Sequence, residues 1–397
     1  MKKVAIIICG GNIYSRKGLI NASLSRASSL RDISDFDIDV YNIQTHTVKI
    51  TKTSFQKREK TDKTILQDGF QITLLHHTEY YSNINILKQI LLAYNHIFHT
   101  HIADISWVNK FSRLFSKYDL LSVHSTEAAY LAATVKKKYG IPFCVTWHGS
   151  DIHTRPMCDS KIKQITKALI EAADYNFFVS KKLCSVSETI TECGRKTVLY
   201  NGYNSNFIKY DSTQKKILRR RNGIDDETKL VAFAGTVREI KNVMLLPDIF
   251  KRIKELYKGK VSFWIIGDGG LREAVDNKMK QNGVACKIWG NQPVDAMPDL
   301  LNCIDLLILP SKNEGFPLIT LETMACGANV IGANVGGIPE AIGEDFCFTH
   351  GETFVDGISK RANELLNHPE TQNIKPEFTW TTTAQKELSI YKSILES

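Results

Sequence analysis

Short apolar runs, each closed by a glycine-bearing or polar turn, recur along the whole chain. In the first half, residues 4–8, 37–43, 71–76, 120–124, 143–147 and 176–179 read as strands, and helices fill several of the intervals. The second half repeats the pattern with strands at 231–235, 261–266, 287–290, 306–309 and 329–332. Several of these enter a turn and then a helical stretch. Repeats of strand, turn and helix predict parallel α/β sheets, whose ligands collect at the carboxyl ends of the strands. Each half is therefore expected to be a doubly wound domain.

The turns of the second half carry candidate chemistry. Glu314 and Glu322 stand eight positions apart, directly after the apolar run ending at Pro310, with Gly315, Phe316, Pro317 and Leu318 between them. A helix opening near Leu318 would offer free amides to an anion, while the two carboxylates accept hydroxyl hydrogen bonds from a polyhydroxylated ligand. Taken alone, the pair fits equally well a solvated loop glutamate and a favourable charge near a helix start. Arg238 and Lys241 follow the strand ending at Gly235, at the expected head of the next helix, where two cations suit a pyrophosphate. Gly267, Asp268, Gly269 and Gly270 form a turn that lets a ligand approach the backbone, as do Trp289–Gly290 and Gly336–Gly337 after their strands.

This ordered set resembles glycosyltransferase family 4, retaining nucleotide-sugar enzymes of the GT-B fold, also described as glycosyl transferases group 1. The resemblance covers essentially the whole chain and includes Thr146, Trp147, His148, Gly149, Ser150 and Asp151, together with Asn201, Gly202, Tyr203 and Asn204. It implies two Rossmann-like doubly wound domains facing a central cleft: an acceptor-binding domain over 1–204, a nucleotide-sugar domain over 205–375, and a terminal helix over 376–397 crossing back to the first. By the same resemblance Arg238 and Lys241 hold the donor pyrophosphate, Glu314 the transferred sugar, Glu322 the ribose, and backbone near Trp289 and Gly290 the base. His148 matches a histidine that projects toward the donor sugar. Gly10 and Gly11 follow the first strand and Gly18 precedes a helical run; where the family commonly has a paired glycine, this sequence departs from it and offers Gly18 alone.

Composition narrows the partners. The chain of 397 residues is 43% hydrophobic and 23% charged, as two globular domains would be. No apolar run reaches the length of a membrane span, and the apolar stretch at the N-terminus is too short for a secretory signal. Nine scattered cysteines without metal-ligand spacing suggest neither a disulfide scaffold nor a zinc site, and fit a reducing cytoplasm. Through residue 200, 27 Lys and Arg face 17 Asp and Glu, so the net charge of +9 belongs to the first half. An anionic acceptor such as a polyprenyl-linked or other lipid-linked glycan, or the acidic face of a membrane, suits that half. Nucleic acid does not, for want of a recognised module.

Four further features have ordinary readings. Asp35, Asp37 and Asp39 imitate a metal-binding triplet but alternate as the outer face of a strand does. Phe111, Leu114, Phe115 and Tyr118 form an apolar helix stripe better suited to the domain's own sheet than to lipid. Residues 45–68 suit a long loop, and the charged stretch 215–221 a boundary between domains.

The activity implied is retaining transfer of a hexose or N-acetylhexosamine from a nucleotide diphosphate sugar, preferably a UDP-sugar, to a glycan or lipid-linked glycan in bacterial surface polysaccharide assembly. The cations make a divalent metal unnecessary. A nucleotide-sugar 2-epimerase and a non-catalytic glycan- or lipid-binding relative share the architecture and stand as alternatives.

Overall fold

The computed structural model describes residues 1–10, 18–50, 62–67, 70–82 and 102–396. The chain divides into two compact units. The first comprises Met1–Phe178, Cys184–Leu199 and Ala384–Ser397, the second Val179–Leu183 and Tyr200–Thr383. The divisions expected from the sequence fall after residues 204 and 375.

The first unit is built on an eight-stranded sheet in the order β3-β4-β2-β1-β5-β6-β7-β8. Its strands are β1 (Lys3–Cys9), β2 (Asp37–Ile50), β3 (Lys63–Gln67), β4 (Phe70–Ser82), β5 (Leu120–His124), β6 (Phe143–Trp147), β7 (Tyr175–Phe178) and β8 (Lys196–Val198). All pairs are parallel except β3 with β4. Val4 through Ile8 are all buried because helices cover both faces of a parallel sheet. The helix Gly18–Ile33 and the terminal helix Trp380–Glu396 share one face, where Leu24, Ala27, Ala384 and Tyr391 join the core over Ile6, Leu120 and Phe177.

The second unit holds a six-stranded parallel sheet in the order β11-β10-β9-β12-β13-β14. The strands are β9 (Lys229–Ala234), β10 (Val261–Ile266), β11 (Cys286–Gly290), β12 (Leu306–Leu309), β13 (Asn329–Ala333) and β14 (Cys347–Phe348). In each unit the chain winds outward from the middle in both directions. The order reverses between β1 and β5 in one sheet and between β9 and β12 in the other, and a crevice outside the carboxyl ends at such a point is where open α/β sheets bind ligands.

Several expectations need correction. The loop placed over 45–68 is partly strand: β2 runs to Ile50 and pairs with β4 from Thr45↔His77 through Ile50↔Ser82, and 63–67 is β3. The β-branched residues Thr45, Thr47, Val48 and Ile50 favour that extension. Residues 51–61 and 68–69 of this stretch lie outside the described residues. The charged stretch 215–221 is no linker but the end of a helix, Ser212–Arg221, started by a capping box between Asp211 and Gln214. Its Arg219 is buried and bonds Asp305 at 2.9 Å and the Cys303 carbonyl at 2.9 Å.

The apolar stripe of the helix Ile102–Phe115 does pack inward. Phe111 and Phe115 are buried and Leu114 is half-buried, while Tyr118, also buried, lies beyond the helix end; Phe115 meets Tyr41 edge-on, and the Tyr118 hydroxyl donates to Asp39. Asp37 pairs with Lys3 at 3.5 Å. Among the described residues no helix is long and apolar enough to cross a membrane.

Candidate active site

In the second unit the candidate residues gather outside β9 and β12, where the strand order reverses. The backbone after β9 is fixed by the turn after β10. Gly235 donates its N–H to the Ile266 carbonyl at 2.9 Å, Val237 to Asp268 at 3.0 Å, and Leu271 back to Val237 at 3.1 Å. This contact requires glycine at 267, whose φ is +138° and where an added Cβ would stand 1.9 Å from the Gly235 carbonyl oxygen. The expected helix head at Arg238 and Lys241 is instead a pair of 3₁₀ turns, Glu239–Lys241 and Val243–Leu245, and the α-helix starts at Leu246. Asn242 between them is left-handed at φ +52°, and Pro247 belongs to the first turn of the later helix. Both features set the helix start downstream.

Lys241 reaches the loop after β12. Its ammonium donates to Glu314 Oε1, and the Ser311 hydroxyl donates to the same oxygen at 2.7 Å. The two loops are also joined through backbone, Lys312 N–H to the Ile240 carbonyl at 2.8 Å. Behind them, Gly337 N–H donates to the Glu314 carbonyl at 3.2 Å. Arg238 is exposed and pairs with no acid among the described residues.

One partner of this loop, His350, carries no signal in the sequence. Ser311 is fully buried, and its carbonyl accepts from His350 Nε2 at 3.0 Å, so Nε2 is the protonated nitrogen of that ring. His350 in turn packs on Phe354, with centroids 4.4 Å apart.

Gly315, Phe316 and Pro317 are buried, Leu318 opens the helix Leu318–Ala325, and Pro317 gives its first-turn amides no side-chain cap. Thr320 N–H turns back to the Pro317 carbonyl at 3.2 Å, which leaves the earlier amides, at Leu318 and Ile319, as donors for an anion. Asn201 holds the loop from behind, Nδ2 to the Phe316 carbonyl at 3.1 Å. One turn into the helix, Glu322 is only 9% exposed, and no side chain among the described residues bonds its carboxylate. Burial lifts that carboxyl to about 7.

Trp289 packs edge-on against Trp264, with Lys287 Nζ 3.6 Å from its ring centroid. The carbonyls of Trp289 and Gly290 already accept from Gln292 Nε2 and Gly267 N–H, both at 2.9 Å. Glu340, in the Gly336–Glu340 stretch, turns away from these loops. Its carboxylate caps the amides of Lys181 and Lys182, each at 2.8 Å, and accepts from the Tyr200 hydroxyl at 2.9 Å.

Gly10, Gly18 and His148 belong to the first unit. Gly10 follows β1 at φ +81°, and Gly18 begins its helix; residues 11–17 between them lie outside the described residues. His148 follows β6, and its Nε2 meets Nδ1 of His124 at 3.0 Å. Burial pushes His148 down to about 3, with Arg26 adding to the effect. Burial, then His148 and Arg26, lower His124 as well. Both rings are neutral at physiological pH. Asp151 fixes the turn, accepting from Gly149 N–H at 3.1 Å.

Two α/β domains with loops outside the strand reversals have the architecture of the GT-B fold. Residues 214–375 match the family described as glycosyl transferases group 1. The N-acetyl-alpha-D-glucosaminyl L-malate synthase of Bacillus anthracis is 27% identical over 281 residues, covering 67% of this chain and 71% of the relative. The lipopolysaccharide 1,2-N-acetylglucosaminetransferase of Salmonella typhimurium is 23% identical over 197 residues, 45% of this chain and 51% of the relative. Anabaena HepE, solved in complex with UDP and glucose, superposes with a TM-score of 0.69 at 17% identity, covering 100% of this chain and 99% of that one.

Proposed function

We propose that the chain transfers a hexose or N-acetylhexosamine, with retention of configuration, from a nucleotide diphosphate sugar to a glycan or lipid-linked glycan of a bacterial surface polysaccharide. The observation that carries this reading is the contact of Lys241 with Glu314 beside an exposed Arg238 and the capless helix start at Leu318. An ammonium has three donors. One is used by Glu314, and the others are available to a phosphate. Lys241 thereby links a carboxylate suited to sugar hydroxyls with the site of a departing diphosphate. Arg238 offers a forked guanidinium to the same charge.

The chemistry needs fixed positive partners for charge developing on the leaving group as the glycosyl–phosphate bond breaks. Arg238, Lys241 and the first amides of the helix Leu318–Ala325 fill that role without a resident metal. In a front-face reaction the acceptor oxygen bonds the anomeric carbon on the side the phosphate leaves, and the phosphate oxygen takes the acceptor proton. The buried Glu322 carboxylate suits the ribose hydroxyls.

UDP as the base carrier is supported by the UDP and glucose of the HepE complex, and surface polysaccharide by the lipopolysaccharide transferase among the relatives. The surplus of basic residues before residue 200 supports an anionic acceptor and contact with the inner face of the cytoplasmic membrane.

Arg238→Ala and Lys241→Ala should each lower turnover of a UDP-sugar by about 100-fold or more, with little change in thermal midpoint and no loss of wild-type rate in EDTA. Wild-type transfer by both folded variants would sink the assignment.

A further inference from the structure

We propose that His124 is a positioning residue that fixes the ring of His148 and holds it in one tautomer, leaving Nδ1 as the His148 nitrogen free to meet a ligand. The inference rests on the reading of His148 as a donor-site residue and adds to it a partner that no motif marks.

The geometry is directional. The two nitrogens are 3.0 Å apart and the ring centroids 5.2 Å, which is about what two imidazoles meeting nitrogen to nitrogen give, so the bond lies along the line joining the rings. A bond between two neutral imidazoles contains one proton. Whichever ring donates, the partner nitrogen must be bare, so the tautomers are complementary and the tautomer of His124 sets that of His148.

His124 is built to be the fixed member of the pair. It is 1% exposed and closes β5, where it is paired on both sides, with Ile8 of β1 and Thr146 of β6. His148 stands two residues beyond Thr146, outside the ladder and half-buried, on a turn held by Asp151. The backbone of His148 is thus placed by Asp151 and its ring by His124. The same arrangement, a ring nitrogen bonded from behind so that the other faces its target, is how histidine ligands and bases are commonly oriented.

The test combines spectroscopy with kinetics on full-length protein labelled with ¹⁵N-histidine, the His148 signals being assigned by their loss in His148→Ala. In the wild type His148 should show a single tautomer. His124→Phe keeps a ring but removes the partner nitrogen; it should give mixed tautomers and lower kcat by about 10- to 100-fold, with KM for the UDP-sugar little changed. His124→Asn places an amide where Nδ1 stood and should recover most of the lost kcat. A purely structural role would instead favour Phe over Asn.

A folded His124→Phe with wild-type kcat, while His148→Ala is impaired, would overturn the proposal. So would averaged His148 tautomers in the wild type, which decides the matter even if His124→Phe does not fold. Unchanged kcat in His148→Ala would remove the reading of His148 itself and with it the role of His124.

Discussion

Burial leaves the Glu322 carboxylate without a side-chain partner among the described residues, and the consequence is a pH-dependent cost. Its folded value, about 7, lies above the ordinary 4.5. The neutral form is therefore favoured by folding. The contribution to stability is fully present below the unfolded value and is lost as pH rises through the folded one. Above pH 7 the charged form carries a penalty of about 3 kcal/mol. Glu322→Gln should accordingly be more stable than wild type at pH 8 and equal to it near pH 4.5, as urea denaturation at the two pH values would show. A difference that does not vary with pH would contradict this account. A ligand whose hydroxyls donate to the ionised carboxylate would offset the penalty, so nucleotide affinity should weaken as pH falls below 7. An unsatisfied buried acid is thus tolerable where a substrate completes it.

Loops and helices show how such residues are held. The turn after β13 packs its backbone against the loop of Glu314: Gly336 has φ +53°, and a Cβ there would lie 1.8 Å from the Glu314 carbonyl oxygen. Gly336→Ala must displace one loop or the other. It should lower turnover by about 100-fold, since shifts near 1 Å at a reacting group have that effect. Its circular dichroism spectrum should remain that of a folded protein. Wild-type kinetics would show that the Glu314 loop tolerates movement.

Much of this framework is legible in the sequence. The strands at 120–124, 143–147 and 261–266 and the helix at Leu318 coincide with apolar runs bounded by turn residues, because elements buried on both faces leave that signature. β8 and β14 do not, being three and two residues long and defined by their pairing. The helix Ser212–Arg221 resembles a linker because its charge conceals one buried arginine, whose partner Asp305 is 86 positions away. His124 and His350 lack a signal for the same reason. Their roles come from contacts 24 and 39 residues distant, and no local pattern encodes a contact of that kind.

At the scale of the whole molecule, the first unit is completed by the last part of the chain. Arg26 and Glu387, 361 positions apart, form an ion pair that is 2% and 0% exposed, and the Tyr391 hydroxyl also donates to Glu387. The Arg26 guanidinium lies 5.3 Å from the Phe177 ring centroid, and its Nη1 and Nη2 are buried without a hydrogen-bond partner among the described residues. Such a pair is not intrinsically a strong source of stability, because desolvating both charges offsets most of their attraction. Removing one member is different, since the other remains charged in a site that excludes water. Glu387→Gln or Arg26→Met should each destabilise the protein by about 3–5 kcal/mol, whereas a double replacement by apolar residues should recover much of that loss. Urea denaturation of the single and double variants would measure the coupling. Single losses below about 1 kcal/mol, the range of exposed pairs, would mean that water reaches the cluster. In that case the apolar contacts of Ala384 and Tyr391, rather than the ion pair, would fasten the terminal helix to the sheet that carries His124 and His148.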